Sequence, residues 1–311
     1  MDRRRFLQDA AKWSLSLPLL LHWPFSFNSC GPFAEAAPAT LPLATVGVSK
    51  GKDYPALVRQ VISLIGGMKS FVKPGAKVVI KPNISFDRTP DLGATTHPLV
   101  VRTLAELALE AGASQVKIFD RTCNEARRSY NNSGVLPAIE AMDNSKVRCE
   151  YIDRRKFVTT PIPQGKSLKS WDIYQDALEA DCYINVPVAK QHGLAGLTLG
   201  IKNNMGILGG NRGQLHRQLD QNLADLASLI RPTLTVIDAT RILLRNGPSG
   251  GRLKDVKVSD TVLASTDPVA ADAFATMLFD LAPHQIGSTV AAADMGLGTM
   301  DLNRIRRIER I

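Results

Sequence analysis

Cysteine is scarce in this chain of 311 residues, which has four in all and no pair spaced as C-x-x-C. Iron–sulfur clusters and structural zinc sites need several thiolates at short spacing, so we expect no self-contained site of either kind. Three of the cysteines lie beyond residue 36, namely Cys123, Cys149 and Cys182. An oxidising compartment would allow a disulfide between two of them, but the sequence favours buried free thiols.

Aromatic residues make up only 6% of the chain, although its net charge is +9. The basic clusters at 154–156 and 303–310 contain no interleaved aromatic side chains. Nucleic acid is therefore not an expected partner, since its recognition combines stacking with phosphate contacts. The excess of basic residues indicates solvated basic surfaces or a small anionic ligand as partner.

Long apolar runs are also missing near the N-terminus. The stretch from Trp13 to Phe27 is interrupted by Pro18, His22 and Pro24, whereas a membrane-spanning helix needs roughly 20 apolar residues. This stretch follows DRRRFLQ, the pattern of a twin-arginine export signal, and precedes the small residues AEAA. The order of basic, apolar and small parts predicts a cleavable leader that is cut after Ala36.

We therefore expect a twin-arginine signal peptide at residues 1–36 and one domain at residues 37–311. The twin-arginine export machinery is then a partner, and the location is the periplasm or another exported compartment. No stable membrane span remains after cleavage. Two alternatives stay open, a basic amphipathic helix of a cytosolic protein and a lipid anchor on Cys30.

Two nucleotide-binding patterns are absent. The chain has no G-x-x-x-x-G-K-[ST] phosphate loop and no G-x-G-x-x-G directly after its first strand. ATPases and ordinary NAD-dependent dehydrogenases use these glycines to bring backbone amides to phosphates. The sequence therefore does not favour either class.

Apolar strand patterns alternate with helical patterns along the rest of the chain. Strands are predicted at 43–49, 75–83, 114–120, 147–153, 180–190, 232–240 and from 260, and helices at 54–68, 96–113, 135–142, 215–230 and from 267. Residues 154–172 form an insertion, interpreted as a hairpin. This order predicts an α/β fold with a mainly parallel, Rossmann-like sheet and helices on both faces. Two α/β lobes around a crevice are the alternative arrangement.

Polar residues stand where predicted strands end. Lys81 and Asn83 end one strand, Asp120 ends the next, and Lys190 and His192 follow a third. Ligands of parallel α/β sheets bind at the carboxyl ends of the strands, so we expect these residues to share one crevice.

A second cluster opens a predicted helix. Thr95, Thr96 and His97 occupy its first turn, where free backbone amides and the helix dipole attract anions. Together with Lys81 they are interpreted as an anion or cofactor site.

The segment from Lys190 to Gly210 is rich in glycine, which is typical of neither a helix nor a strand. His192 precedes Lys202 by ten residues, and His216 follows it by fourteen. A lysine in such a segment supplies a charge for an anion or an amine nucleophile, and two histidines supply metal ligands or proton carriers. We interpret His192 and Lys202 as catalytic candidates, and His192 and His216 as metal ligands.

Five ordered motifs resemble the DUF362 family, a domain of unknown function. They are KPNI, ATTHP, NVPVAKQHGLAGLTLGIKNNMGIL, TVIDA and DPVAADA, and together they extend over most of the mature chain. Some members of that family have ferredoxin-type iron–sulfur segments. This chain lacks the closely spaced cysteines that such segments need.

A more distant resemblance is to nickel-dependent lactate racemases, through the order histidine, GLAG, lysine and a later histidine. The resemblance implies that Lys202 anchors a metal-organic cofactor, that His192 transfers a proton and that His216 binds the metal. The second catalytic histidine of that family aligns with Asp120, which is a poor base unless its pKa is raised. Lactate racemase activity is therefore not predicted.

These observations predict an exported enzyme that depends on a metal or cofactor and performs redox or isomerase-type chemistry on a small anionic substrate. Lys81, Asn83, Thr95, Thr96, His97 and Lys202 are the candidate cofactor-binding residues, and Asp120 joins His192 and Lys202 as a catalytic candidate. A redox partner protein is a further expectation. The alternative is a periplasmic binding or accessory protein that recognises a carboxylate or phosphate without catalysis.

Overall fold

The computed structural model of the protein describes residues 44–310. The predicted leader, its cleavage after Ala36 and the lipid anchor on Cys30 lie outside the described residues. The described residues cluster as one compact unit, so they do not divide into the two lobes of the alternative arrangement.

Strands and helices alternate in the described chain much as the sequence predicts. The strands are β1 (Ala44–Lys50), β2 (Lys77–Pro82), β3 (Gln115–Ile118), β4 (Val147–Cys149), β5 (Phe157–Pro161), β6 (Ser170–Tyr174), β7 (Cys182–Val186), β8 (Val188–His192), β9 (Gly196–Thr198), β10 (Leu234–Leu243), β11 (Val256–Ser265) and β12 (Ile305–Arg310). The α-helices are α1 (Tyr54–Leu64), α2 (Pro98–Glu110), α3 (Ala126–Asn132), α4 (Val135–Glu140), α5 (Gln175–Leu178), α6 (Gly200–Asn203), α7 (Leu219–Leu229), α8 (Pro268–Thr276) and α9 (Gly287–Asp294).

The central sheet is mostly parallel, which confirms the predicted fold class. Its strand order is β12-β1-β11-β10-β7-β2-β3-β4, and β8 pairs with β10 and β9. The strand β11 is antiparallel to both β1 and β10. Residues 244–255 join β10 to β11 without an α-helix, and a parallel pair needs a longer crossover connection.

Helices cover both faces of the sheet because alternate strand residues point in opposite directions. In β2, Val78 and Ile80 pack with α1 and α2, whereas Val79 packs on the other face near α7. In β11, Val262 belongs to the first of these cores and Leu263 packs against α8.

The insertion at 154–172 forms the predicted hairpin. Strands β5 and β6 pair from Phe157 with Tyr174 to Pro161 with Ser170, apart from the main sheet. The hairpin contacts the glycine-rich segment, because Trp171 Nε1 donates to the carbonyl oxygen of Gly209 at 3.2 Å.

The glycine-rich segment is more regular than its composition indicates. It contains the end of β8, the strand β9 and the short helix α6, so the expectation that it is neither strand nor helix is wrong. The predicted strand at 180–190 is divided at Pro187 into β7 and β8. Gly206 has a clear packing role, since a Cβ atom there would overlap the side chains of Lys81 and Asp120.

The described cysteines are free thiols, as favoured by the sequence, but only Cys182 is buried. Cys149 is half-buried and Cys123 is exposed, which corrects the expectation of buried thiols.

Among residues 44–310, no helix is both long enough and apolar enough to span a bilayer.

Candidate functional site

A cavity of about 800 Å³ lies at the carboxyl ends of β2, β3 and β8. Asn83 follows β2, Asp120 to Glu125 follow β3, and Lys190 and His192 belong to β8. The predicted crevice at the strand ends is therefore present. Its wall has these charged or histidine side chains: Asp120, Arg121, Glu125, Arg154, Lys190, His192, Lys202, Arg212 and His216.

A buried ion pair joins the wall residue Asp120 to Lys81, which is not part of the wall. Lys81 Nζ is 2.8 Å from Asp120 Oδ1, and it also donates to Asn203 Oδ1 at 2.9 Å and to the Pro82 carbonyl oxygen at 2.8 Å. The other carboxylate oxygen, Asp120 Oδ2, accepts the Ile84 amide at 2.6 Å. Lys81 Nζ therefore has three partners inside the protein, and both carboxylate oxygens of Asp120 are in contact with protein donors.

Three asparagines connect the ion pair to α6. Asn203 Oδ1 accepts from Asn83 Nδ2 at 2.9 Å, and Asn203 Nδ2 donates to Asn185 Oδ1 at 2.8 Å and to the Lys81 carbonyl oxygen at 3.1 Å. Asn83 Oδ1 in turn accepts from Lys190 Nζ at 3.0 Å. Asn83 lies on the cavity wall as predicted, but its amide mainly orients neighbouring side chains.

Asp272 of α8 holds the N-terminus of α6, the helix that contains Lys202. Its two carboxylate oxygens accept the amides of Gly200 at 2.7 Å and Ile201 at 2.9 Å. Burial raises the pKa of Asp272 to about 7, while the two backbone hydrogen bonds act against this shift. The DPVAADA motif thus has a positioning role that the sequence analysis missed.

Two further lysines on the wall have only neutral partners. Lys190 Nζ donates to Asn83 Oδ1 and, at 2.5 Å, to the Ala94 carbonyl oxygen. Lys202 Nζ contacts Met205 Sδ at 2.9 Å. Burial lowers the pKa of Lys190 to about 7 and that of Lys202 to about 8. Each amine therefore changes its charge near neutral pH and has no carboxylate as a hydrogen-bond partner.

The arginines of the wall contribute charge but have already used several of their donors. Arg121 Nη1 donates to the carbonyl oxygens of Leu208 at 2.6 Å and Gly210 at 3.1 Å. Arg212 donates to the carbonyl oxygens of Arg121 at 2.9 Å and Thr122 at 3.0 Å. Both side chains fasten loops together, and their positive charges remain without a carboxylate partner.

The two histidines lie on the same wall but hold their protons on different nitrogens. His192 Nδ1 accepts the amides of Leu194 at 3.1 Å and Ala195 at 3.2 Å, which leaves the proton on Nε2. His216 Nδ1 faces the Gly213 carbonyl oxygen at 3.1 Å, which places its proton on Nδ1. Burial lowers the pKa of His192 to about 4, and the charges of Lys202 and Lys190 act in the same direction. His192 is therefore a neutral hydrogen-bond donor at physiological pH.

This arrangement does not fit the metal site predicted at His192 and His216. Binding a metal through His192 Nε2 would move the ring proton to Nδ1, against two amide groups that already donate there. Within residues 44–310, no group of three or more His, Cys, Asp or Glu side chains has the geometry to hold a metal ion. The residues present suit an anionic organic group better than a metal ion held by protein ligands alone.

The predicted anion site at the start of α2 is not part of the cavity. Thr96 Oγ1 accepts the Asn83 amide at 2.8 Å and donates to the Val186 carbonyl oxygen at 2.7 Å. The His97 amide donates to Asp238 Oδ2 at 2.7 Å. The Asp238 carboxylate thus occupies the place expected for an external anion. Thr95 is buried beside these residues and is absent from the cavity wall.

Many wall residues were not among the predicted site residues, and Thr198, Arg212 and Cys123 are three of them. Lys190 was noted as a strand end but was not counted as a site residue. The sequence held one usable signal, because Lys190 and His192 are two apart in a strand and so share a face.

Breaking the buried ion pair should destabilise the protein strongly. Lys81→Met leaves Asp120 buried without a counter-charge, and we expect a loss of about 3–5 kcal/mol in urea unfolding. Lys81→Met combined with Asp120→Asn should recover much of this loss, since asparagine keeps an acceptor for the Ile84 amide. The control is Lys50→Met at the exposed Lys50–Glu309 pair, where we expect less than about 1 kcal/mol. Equal effects of the two single variants would contradict the assignment.

Lys202→Met should stabilise the free protein at neutral pH. The pKa of Lys202 falls from 10.5 to about 8 on folding, so the unfolded chain binds this proton more tightly. The resulting penalty is complete below about pH 8 and disappears as the pH rises to 10.5. We expect a gain of ~2 kcal/mol at pH 7 that shrinks towards pH 10.5, measured by urea unfolding. A loss of stability at pH 7 would show that Lys202 has a stabilising partner.

Comparison with known proteins places the chain in a described family. The model of DUF362, "Domain of unknown function", matches residues 78–277. The thylakoid-associated protein sll1697 of Synechocystis sp. is 30% identical over 250 residues, which cover 78% of this chain and 75% of that protein.

Solved structures give a weaker likeness. The lactate racemase apoprotein of Thermoanaerobacterium thermosaccharolyticum has a TM-score of 0.45 at 11% identity, over 75% of this chain and 55% of its own. A protein from Thermotoga maritima has a TM-score of 0.37 at 9% identity, over 79% of this chain and 60% of its own. The chain therefore spans less than two thirds of either structure. The sequence matches are sufficient by themselves, and this chain belongs to the DUF362 family.

Proposed function

We propose that this protein is an enzyme that binds a small anionic substrate in the cavity and acts on it by lysine and histidine acid–base chemistry. One observation supports this proposal above the others. His192, Lys202 and His216 line a single cavity together with Lys190. A protein that only captures an anion needs the positive charges but has no need for amines that titrate near neutral pH.

The charges of the wall favour an anion. Lys190, Lys202, Arg121 and Arg212 have only neutral hydrogen-bond partners. The Asp120 carboxylate, also on the wall, is already paired with Lys81. An anionic ligand would supply the missing counter-charge, and it would do so in a partly enclosed site where charge interactions are stronger than in bulk water.

The protonation states suit general acid–base catalysis. An amine whose pKa is about 7 or 8 serves as a base or an acid near neutral pH, where proton transfer is most effective. The Nδ1 proton of His216 faces the Gly213 carbonyl oxygen, which leaves the Nε2 lone pair free. Lys190, Lys202 and His216 are therefore the proposed proton-transfer groups, and the chemistry is of the isomerase or redox type.

An organic or metal-organic cofactor belongs to the same proposal. The cavity of about 800 Å³ is within the range of pockets that hold drug-sized ligands and exceeds the needs of a small acid alone. Lys202 is the proposed attachment point, because it is a buried amine with no carboxylate among its hydrogen-bond partners. Such a group would supply the redox or hydride chemistry that lysine and histidine side chains lack.

A binding or accessory protein is the second candidate. Its support is that Asp120, the one carboxylate predicted to be catalytic, is held by Lys81 and by the Ile84 amide. Mechanisms that need a carboxylate base beside the substrate therefore lack one at this position, whereas anion binding needs none.

A ligand panel followed by isotope exchange distinguishes the two candidates. Oxalate, malate, citrate, phosphate and pyrophosphate are titrated by calorimetry into the wild type, Lys202→Met and the exposed control Lys257→Met. Malate and citrate, the carboxylates of the panel that have carbon-bound hydrogen, are then incubated with the wild type in ²H₂O if they bind. An enzyme of the proposed kind should incorporate deuterium at a carbon of the bound ligand, and Lys202→Met should lose this exchange. Binding without exchange for every such ligand would favour the binding protein.

The cofactor is tested separately on protein purified from its own export compartment. Elemental analysis and intact mass should show a bound metal or an added mass that Lys202→Met removes. A bare polypeptide of the expected mass would contradict the cofactor but not the anion site.

Anion binding should weaken as the pH rises. Below about pH 7 Lys190 and Lys202 are both ammonium ions, and above about pH 8 both are mostly neutral. The loss of two positive charges should lower the affinity for a bound anion by about tenfold or more between pH 6.5 and 9. Calorimetric titration at these two pH values measures the affinity. An affinity independent of pH would contradict a role for these amines.

We also propose export by the twin-arginine route into the periplasm, with a redox partner protein as a further hypothesis if the chemistry is redox. Arg3→Lys combined with Arg4→Lys should retain the full-length precursor in the cytoplasm, since the transporter reads the arginine pair. Cell fractionation with intact mass measures the location and the processed N-terminus. Export of the double variant at the wild-type level would contradict this route.

A further inference from the structure

The ribbon formed by β8 and β9 presents three polar side chains on one face. Lys190 and His192 are two residues apart in β8, so their side chains point to the same side of the strand. Thr198 of β9 lies directly opposite Lys190 in the antiparallel register, which puts its side chain on that side too. All three residues line the cavity.

Thr198 has a hydroxyl group without a partner. The residue is 3% exposed, and its Oγ1 atom is buried with no hydrogen bond to the described residues. An unpaired buried hydroxyl is costly, so such groups usually have a ligand or an ordered water beside them. Thr96, by contrast, uses its hydroxyl both to accept and to donate inside the protein.

His192 adds a second neutral donor to this face. Its Nδ1 accepts two backbone amides, and the ring proton is therefore on Nε2. A nitrogen that bears its proton donates a hydrogen bond and does not remove a proton from a substrate. Lys190, in contrast, directs its ammonium group to Asn83 and to the Ala94 carbonyl oxygen. It adds positive charge to this face but offers few free donors.

We propose that Thr198 Oγ1 and His192 Nε2 form a neutral donor pair that binds the carboxylate of the anionic substrate, with Lys190 supplying the nearby positive charge. The inference rests on the proposed function and names a substrate class for the same cavity. A planar carboxylate has two oxygen acceptors, one for each donor. A phosphate group is bound most strongly by arginine forks. Both Nη atoms of Arg212 and the Nη1 atom of Arg121 already donate to backbone carbonyls.

The proposal makes His192 a positioning and polarising group rather than a proton carrier. Hydrogen bonds from neutral donors to the substrate oxygens fix the orientation of the acid and draw electron density towards the carboxylate. Proton transfer then falls to the amines and to His216. Thr198 becomes the residue that selects a carboxylate over other anions.

The test compares Thr198→Val with a matched control in calorimetric titrations of malate and inorganic phosphate. Valine keeps the shape of threonine and removes the hydroxyl. The control is Thr289→Val on α9, since Thr289 is also fully buried with an unpaired hydroxyl but is absent from the cavity wall. We expect Thr198→Val to bind malate about fivefold more weakly and phosphate within twofold of the wild type. The control should bind both as the wild type does.

Stability gives a second readout, because Thr198→Val should weaken malate binding without lowering the stability of the protein. Removal of an unpaired buried hydroxyl should leave the urea midpoint of Thr198→Val unchanged or raised, so weaker malate binding would not reflect unfolding. His192→Asn keeps an acceptor for the Leu194 and Ala195 amides and removes the ring N–H, and it should also weaken malate selectively.

Three outcomes overturn the proposal, and they are distinguishable. If Thr198→Val binds malate like the wild type while Lys202→Met does not, the donor pair is wrong and the proposed function stands. If Thr198→Val weakens phosphate as much as malate, the carboxylate assignment is wrong. If the wild type binds neither probe nor any other anion of the panel, the proposed function itself fails.

Discussion

The ion pair between Lys81 and Asp120 sets the electrostatics of the whole site. It is fully buried, with 2.8 Å between the charged atoms, and a Cβ atom at position 206 would overlap it. The Asp120 carboxylate is engaged by Lys81, so it is not a hydrogen-bond partner of Lys190 or Lys202. Burying such a pair is not in itself stabilising, because desolvation offsets most of the attraction. Its consequence is positional, since Asn203 joins the pair to α6 and so fixes the helix that bears Lys202.

The remaining cations of the cavity have no carboxylate partner, because Asp120 is engaged by Lys81. Asp120 opposes the shift at Lys190 only in part, and burial still lowers the pKa of this amine to about 7. The arginines keep their charges while donating to loop carbonyls. The wall therefore has a positive potential and a limited number of free hydrogen-bond donors. Its charge changes with pH near neutrality. These three properties together describe a site for a small anion whose protons are moved, which is the function proposed for this member of the DUF362 family.

Much of the fold and part of the site follow from the sequence. The strand ends at Asn83, Lys190 and His192 were expected to converge, and the structure brings them to one cavity with Lys202 and His216. Thr96 and His97 were expected to face an external anion, whereas the His97 amide donates to Asp238, which is 141 residues along the chain. The partner of Lys81 was not visible for the same reason, since Asp120 follows a different strand, β3. Thr198 gave no signal at all, because its face is defined only by its pairing with Lys190. Local chemistry was readable from local sequence, whereas the pairing of charges across strands was not.

The account's central claim is that the bound anion supplies the counter-charge that Lys190 and Lys202 lack. The most direct measurement is proton uptake on binding, by calorimetric titration of the tightest-binding anion at pH 8 in buffers of different ionisation enthalpy. An anion beside these amines raises their pKa, so the account predicts uptake of about half a proton or more per anion bound. The double variant of Lys190→Met and Lys202→Met should show almost none. Binding by the wild type without proton uptake, or with proton release, would contradict the claim.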